Sequence, residues 1–339
     1  MQMNDIHILK EVIASPRKIV VIPHKNPDGD AIGSTLGLYH YLKNEGHEVT
    51  VISPNDYPEF LKWMPGEAAI VKFDSQKQEA IELLKDADLV FTLDFNHLDR
   101  VENIKPTLLE IKAKFVMIDH HQQPSDYARF KYSDTSMSST CEMVYHFLDQ
   151  LNDLDKITPA IANCLYAGIM TDTGSFRFPT TSSTTHRVVA DLIDKGAQNA
   201  MIHNAIFDSS SLSRLHLLGR ALSNLVMLED LHTVYISLSQ QELDQFNFRK
   251  GDTEGFVNYG LSLKGIIFSV IFIENGQEDY IKISLRSKGS FDVNEFARKH
   301  FNGGGHVNAA GGRSNDSMND TIDRFEKIVN EYKSTLKQV

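Results

Sequence analysis

Soft metal ligands are nearly missing from this 339-residue chain, whose two cysteines, Cys141 and Cys164, sit inside apolar periodic stretches and in no metal-binding spacing. That excludes a disulfide framework and a zinc finger, and predicts two reduced core thiols. Long apolar runs are lacking as well: none reaches the roughly 18 residues that a membrane span requires. The amino terminus, Met1-Gln2-Met3-Asn4-Asp5, has no basic segment followed by an apolar core, so a cytoplasmic protein without membrane contact is expected. Positive charge is in short supply. The net charge of −11 argues against a long basic groove for a polyanion, since nonspecific nucleic-acid affinity comes largely from lysine and arginine displacing counterions. A small anionic substrate stays open, held by divalent cations, helix amino termini and one or two arginines. The chain has no Gly-x-Ser-x-Gly or Walker-type segment, no internal repeat and no low-complexity tract. At this length and 41% hydrophobic content, two well-packed domains are expected.

What is present is a set of hard ligands at the ends of apolar runs. His24-Lys25-Asn26-Pro27-Asp28-Gly29-Asp30 follows Ile19-Val20-Val21-Ile22, and Asp94 follows Leu89-Val90-Phe91-Thr92-Leu93. Asp119-His120-His121 closes the stretch from Phe115, and Asp172 comes after the apolar segment Cys164 to Met170. Carboxylates and imidazoles without thiolates favour manganese, magnesium or a similar ion over structural zinc.

The run order gives these clusters a common address. Strands are predicted over 18–24, 47–53, 87–94 and 115–121, with helices over 31–44 and 78–85 between some of them. Runs that are apolar throughout point to a parallel βαβ sheet buried on both faces. In such sheets ligands bind outside the carboxyl ends of the strands, where His24, Asp94 and His120 all fall. Further helices are predicted over 137–151, where Ser139 and Glu142 have the spacing of a capping box, over 158–170 and over 181–195. Residues 198–225 read as a helical connector. Beyond it, strands at 232–239, 265–274 and 280–287, a hairpin turn at Asn275-Gly276, and helices at 293–300 and 318–336 describe a smaller α+β domain. The domains expected are therefore 1–197, a connector at 198–225, and 226–339.

Each cluster also has an ordinary explanation. Asp28 alone suits a helix cap as well as a ligand, with Gly29 relieving the backbone as it leaves the strand. Asp94 alone reads as a solvated loop carboxylate, and Asp172-Thr173-Gly174 as a helix terminus with a glycine stop. None of these accounts for four clusters at once. On a strand ending, His120 and His121 would face opposite ways unless the backbone turns immediately, so they are expected to do different jobs, with Asp119 orienting a ligating imidazole. Six ligands hold two ions if one carboxylate bridges. Two-metal sites generate a bridging hydroxide and clamp phosphoryl oxygens during in-line displacement, so attack on phosphorus is the expected chemistry. The glycines of Gly303-Gly304-Gly305 let a backbone approach a phosphate closely, and His306 adds a donor; a flexible loop is the alternative. Arg286, leaving the predicted strand, is a second phosphate clamp or a surface arginine.

These residues resemble the DHH phosphoesterase superfamily, named for the run seen here at Asp119-His120-His121. Its four amino-terminal motifs are present in order, at His24 to Asp30, Asp94, Asp119 to His121, and Asp172. Ser284-Leu285-Arg286-Ser287 and Gly303 to His306 resemble its DHHA1 carboxyl-terminal domain, and the similarity is strongest to the bifunctional oligoribonuclease and pAp phosphatase (nanoRNase) family. The resemblance implies a parallel-sheet α/β DHH domain followed by a smaller α+β DHHA1 domain, with the active site in the interdomain cleft. It implies that His24, Asp28 and Asp94 hold one Mn2+ and that Asp30, Asp94, His120 and Asp172 hold a second, with Asp94 bridging; Mg2+ or another divalent ion is the alternative. Asp119, His121 and Asp94 would be the catalytic set, His121 facing the phosphate, while Arg286, Gly303, Gly304, Gly305 and His306 grip the nucleotide.

The activity implied is a manganese-dependent exoribonuclease that degrades very short oligoribonucleotides, including linear dinucleotides such as pApA and pGpG, to mononucleotides, with removal of the 3′-phosphate of pAp as a companion reaction. A homodimer is the family-based expectation. Other readings are a family II inorganic pyrophosphatase, whose basic Ser-Arg-Lys-Lys-type segment is not found; a RecJ-like single-stranded DNA exonuclease, which would carry additional binding domains; and a nucleotide-binding module without turnover.

Overall fold

Five- and six-residue apolar runs build the centre of the amino-terminal half. In the computed structural model, which describes residues 3, 5–276 and 279–337, six strands form one sheet. They are β1 (Lys18–Ile22), β2 (Glu48–Ser53), β3 (Val71–Lys72), β4 (Leu89–Leu93), β5 (Lys114–Asp119) and β6 (Phe130–Ser133). The order is β3-β2-β1-β4-β5-β6 and every pairing is parallel. Part of the amino-terminal reading, at residues 1, 2 and 4, lies outside the described residues, as do residues 277–278 beyond Asn275-Gly276.

Alternation along each strand explains why both faces must be covered. Ile19, Val21, Phe91 and Ile118 enter one core, which they share with helices Gly29–Asn44, Thr140–Leu151 and Pro159–Asp172. Val20, Ile22, Val90 and Phe115 face the other way, onto helices Lys77–Asp86 and Lys105–Glu110. A run apolar at every position is what two covered faces demand. Among the described residues no helix is long and apolar enough to cross a membrane. Cys141 and Cys164 are buried and unpaired, and burial pushes both thiols up in pKa.

The chain divides into two units, Met1–Ser209 and Ser210–Val339. The connector region is two helices: Ile202 of Asn199–Phe207 joins the core of the first unit, while Leu217 and Ala221 of Leu212–Ser223 join a core of the second. The second unit holds a mixed sheet of β7 (Val226–Leu228), β8 (Thr233–Leu238), β9 (Phe268–Asn275), β10 (Tyr280–Ser287), β11 (Gly304–His306) and β12 (Ala309–Ser314). Its order is β11-β12-β10-β9-β8-β7, with β8 and β9 parallel and the other pairs antiparallel. Helices Val293–His300 and Met318–Glu331 cover one face through Phe268, Phe272, Ile283 and Leu285. This is the α+β arrangement expected.

Several local expectations change. Ser139 caps its helix by accepting from the Glu142 N–H at 3.0 Å, but the Glu142 carboxylate returns to Ser138 rather than to Ser139, so the reciprocal half of the box is displaced by one residue. The carboxy-terminal helix breaks at Tyr332 instead of running from 318 to 336. The glycine-rich segment is no loop: Gly304–His306 and Ala309–Ser314 pair as an antiparallel hairpin. Strands of three to six residues rich in glycine have too little periodicity to be seen in sequence.

Candidate metal centre

The chain connection reverses direction between β1 and β4, because β1 leads to β2 on one side while β4 lies on the other. Parallel sheets open a crevice at such a reversal, outside the carboxyl ends of the two strands. His24 follows β1 and Asp94 follows β4, and the His24 Nε2 to Asp94 Oδ2 distance is 3.4 Å. Asp94 reaches this place in a left-handed backbone conformation, φ 64°, which turns the chain sharply off the strand.

The other carboxylate oxygen of Asp94 faces a different histidine. Its Oδ1 lies 3.5 Å from His120 Nε2, which is also 3.8 Å from Asp30 Oδ2 and 3.6 Å from Asp172 Oδ2. One group of ligand atoms is thus His24, Asp28 and Asp94, and another is Asp30, His120 and Asp172; within each, all atoms lie within 4.8 Å of one another. Asp94 touches both.

Asp28 shows how a helix cap and a ligand coexist. Its Oδ1 accepts from the Asp30 and Ala31 N–H groups at 3.1 and 3.0 Å, capping the helix, while its Oδ2 lies 4.0 Å from His24 Nε2. Gly29 is required for a reason other than backbone freedom, since its φ is not positive: a Cβ there would collide with the Thr171 side chain of the neighbouring helix. The preceding turn is pinned by paired Asn26 and Asn55 side chains and by Lys25 N–H donating to the Arg100 carbonyl at 2.8 Å.

The two adjacent histidines are held by different partners. The strand ends at Asp119, and the rings of His120 and His121 meet edge to face with centroids 5.0 Å apart. Asp119, fully buried, holds His121: one oxygen lies 2.7 Å from His121 Nδ1 and the other accepts the His121 N–H at 2.9 Å. His120 is steadied by a main-chain carbonyl, with Nδ1 3.2 Å from Met137 O.

Electrostatics tests whether these residues suit a cation. Asp30, Asp94 and Asp119 are 1%, 2% and 0% exposed, so three carboxylates share a site nearly without water. Burial, reinforced by the charges of Asp94 and Asp172, pushes the Asp30 carboxyl well above the usual carboxylate range. For Asp94 burial acts in the same direction, but hydrogen bonds with His120 and His24 win and hold it well below that range. Burial disfavours protonated His120, yet the bond to Asp94 and the charges of Asp172, Asp94 and Asp30 raise its pKa well above the ordinary value. His24 is likewise raised, burial being outweighed by Asp94 and Asp28, with Arg100 opposing. Hard oxygen and nitrogen donors around buried negative charge fit a divalent ion of the magnesium and manganese class.

Two contributors escaped the sequence reading. Arg100 is close enough for its charge to act on His24, and Thr140 touches both Asp30 and Asp94. Neither lies at the end of an apolar run.

Register organises the predicted residues of the second unit. Arg286 on β10 pairs with Ala309 on β12, which pairs with His306 on β11, so Arg286 and His306 lie in one row about 10 Å apart, two strand spacings. Ser284, Gly311 and Gly304 form the next row on the same face. Leu285 and Ala310 point into the core behind them. The N–H groups of Gly303 and Gly305 are already used, by Ala297 O at 3.2 Å and by Asn294 Oδ1 at 2.9 Å, so neither is open to a phosphate that approaches this backbone. Glycine at 303 answers a close approach: a Cβ there would strike the Gly311 carbonyl.

Residues 18–169 match the amino-terminal domain of the DHH family and residues 231–338 match the DHHA1 domain. A bifunctional oligoribonuclease and PAP phosphatase of Thermus thermophilus is 31% identical over 299 residues, 86% of this chain and 83% of that protein. The chain belongs to the DHH family. A DHH relative of Bacillus subtilis with the same description is 29% identical over 86% of this chain and 88% of its own length. The crystal structure of an exopolyphosphatase-related protein from Bacteroides fragilis superposes with a TM-score of 0.94 at 38% identity, covering 99% of this chain and 98% of the other. As a DHH protein the chain is an enzyme acting on phosphoester bonds.

Proposed function

We propose that this chain is a manganese-dependent phosphodiesterase that hydrolyses very short oligoribonucleotides and linear dinucleotides to mononucleotides, and that it also removes the 3′-phosphate of pAp. The observation that carries the reading is Asp94, whose two oxygens face two separate histidine–carboxylate groups. His24, Asp28 and Asp94 would hold one ion, and Asp30, Asp94, His120 and Asp172 the other. Bound there, divalent ions lower the pKa of water and neutralise charge on a phosphoryl group.

The protein's own groups do the remaining work. Asp119 accepts the Nδ1 proton of His121 and fixes the ring, so any proton that His121 exchanges with a substrate oxygen passes through Nε2. The negative charge of Asp94 favours cations in the site and disfavours a bare anionic substrate, so a phosphate would bind there with its counter-charge. Arg286 and His306 in the second unit would grip the nucleotide's phosphate and base, with Gly304, Gly311 and Ala309 as a low floor between them. Two relatives described as bifunctional oligoribonuclease and PAP phosphatase, similar over 86% of the chain, support this substrate class.

Incubation of the protein and Mn2+ with pApA, pAp, pyrophosphate, polyphosphate and a long single-stranded DNA, comparing initial rates, tests the assignment. Fastest release of mononucleotide from pApA is expected. Fastest turnover of pyrophosphate or polyphosphate overturns it in favour of a phosphoanhydride hydrolase, the outcome toward which the Bacteroides structure's description points.

A further inference from the structure

The helix Thr140–Leu151 begins directly at the candidate metal centre, and its first turn is tied to two ligands. A helix leaves its first N–H groups without partners inside the helix. Here Ser139 takes the N–H of Glu142, while those of Thr140 and Cys141 donate to the two oxygens of Asp30 at 2.6 and 2.8 Å. Thr140 does more than supply a backbone donor. Its hydroxyl, in a fully buried residue, donates to Asp94 Oδ1 at 2.9 Å, the same oxygen that faces His120. One residue therefore holds both Asp30 and Asp94, which come from the ends of different elements, 110 and 46 residues away.

The chemistry of these bonds decides what they do. A carboxylate between two imidazole groups can rotate about its last bond, and its contacts with the two histidines, at 3.4 and 3.5 Å, are long for hydrogen bonds. The Thr140 hydroxyl is the shorter contact, so it sets the plane of the Asp94 carboxylate and commits Oδ1 to one side and Oδ2 to the other. The paired N–H groups at the start of the helix similarly hold Asp30 in one orientation. Hydrogen-bonding groups behind metal ligands typically change metal affinity or activity by about 10- to 100-fold when removed.

We propose that Thr140 is a positioning residue that orients Asp94 as a bridging carboxylate and registers it against Asp30. The inference rests on the metal-centre reading above and concerns binding of the ion rather than choice of substrate. Thr140→Val keeps the shape and removes the hydroxyl, whereas Thr140→Ser keeps the hydroxyl.

Calorimetric titration of Mn2+ into metal-free wild type, T140V and T140S, together with their melting temperatures without metal, tests it. T140V should bind Mn2+ about 10- to 100-fold more weakly, with the metal-free melting temperature and the KM for pApA close to wild type and kcat reduced; T140S should restore affinity. Wild-type affinity in T140V overturns the proposal, as does a loss of metal-free stability without a change in affinity. Should T140V not fold, T140A replaces it; failure of both with a well-folded T140S assigns the hydroxyl to folding and also overturns it. Wild type that binds Mn2+ but cleaves no phosphoester sinks the proposed function alone, and wild type that binds no divalent ion removes the centre on which both rest.

Discussion

The two sheets of this protein carry their chemistry in different places. The first is covered on both faces, so the carboxyl-terminal halves of β1, β2 and β5 and all of β4 are buried, and its polar groups gather at the ends of β1, β4 and β5. In the second, helices Val293–His300 and Met318–Glu331 cover one face, and helices Leu212–Ser223, Gln240–Gln245 and Phe256–Leu261 cover the other over β8 and β9, while Lys282, Ser284 and Arg286 along β10 stay at least partly exposed between the buried Ile281, Ile283 and Leu285. Ends converge only when loops from distant parts of the chain are locked together, as Asp28, Asp94, Asp119 and Thr140 show. A face assembles itself through register, as Arg286, Ala309 and His306 show. The end-built centre should fail as a unit when one member is lost, and the face should lose function by increments.

The sharpest break is Asp94→Ala. Removing the carboxylate shared by both ligand groups should abolish hydrolysis of every substrate, with initial rates down by about 10^3-fold or more, the equivalent of roughly 4 kcal/mol of barrier. Retention of pAp hydrolysis in that variant would separate the two groups. Next comes Gly168→Ala, whose Cβ would collide with Cys141 Sγ and come 2.9 Å from Asp30 Oδ1. Overpacking of this kind should destabilise the fold by about 1–3 kcal/mol in a denaturant titration, and a stability equal to wild type would show that the helix pair has slack.

On the face, Arg286→Ala and His306→Ala should each raise KM for pApA by about 10- to 100-fold, the worth of a charge-assisted hydrogen bond, with kcat nearly unchanged. A fall in kcat at constant KM would contradict the division between ends and face. The smallest effect concerns Glu142, beneath the ligand-bearing turn. Burial raises its pKa, but the nearby His146 imidazole and hydrogen bonds from Ser138 and Thr185 prevail and hold it below its ordinary value. A carboxyl depressed on folding stabilises the protein above its unfolded value, and that contribution disappears as pH falls through the lower folded value. Glu142→Gln should therefore melt below wild type near neutral pH, with the gap closing in acid; a gap independent of pH would assign the difference to packing.

The end-built half was legible in the sequence because apolar strands stop abruptly at polar residues. His24, Asp28, Asp30, Asp94, His120 and Asp172 were singled out on that ground, and the structure brings them together within two groups. The face was less legible. Arg286 and His306 are distinctive residue types, but their common row depends on β11 and β12, whose glycine- and alanine-rich strands carry no alternation to read. The partner of Asp119 was open for a similar reason: whether it meets His120 or His121 depends on how the chain turns after one residue. Thr140 was invisible because its hydroxyl and main-chain N–H act across 46 and 110 residues of sequence, and only folded proximity distinguishes it from any other helix-starting threonine.

The left-handed backbone of Asp94 has a further consequence for how this protein tolerates change. An L residue with a side chain gives up of the order of 1 kcal/mol to sit there, a cost set against the contacts its carboxylate makes with His24, His120 and Thr140. Backbone ease alone would favour glycine, which adopts that conformation freely but keeps none of those contacts. Position 94 is thus a point where the ease of the turn and the chemistry of the side chain are in direct conflict. Consensus-style stabilisation of this chain would have to leave it alone.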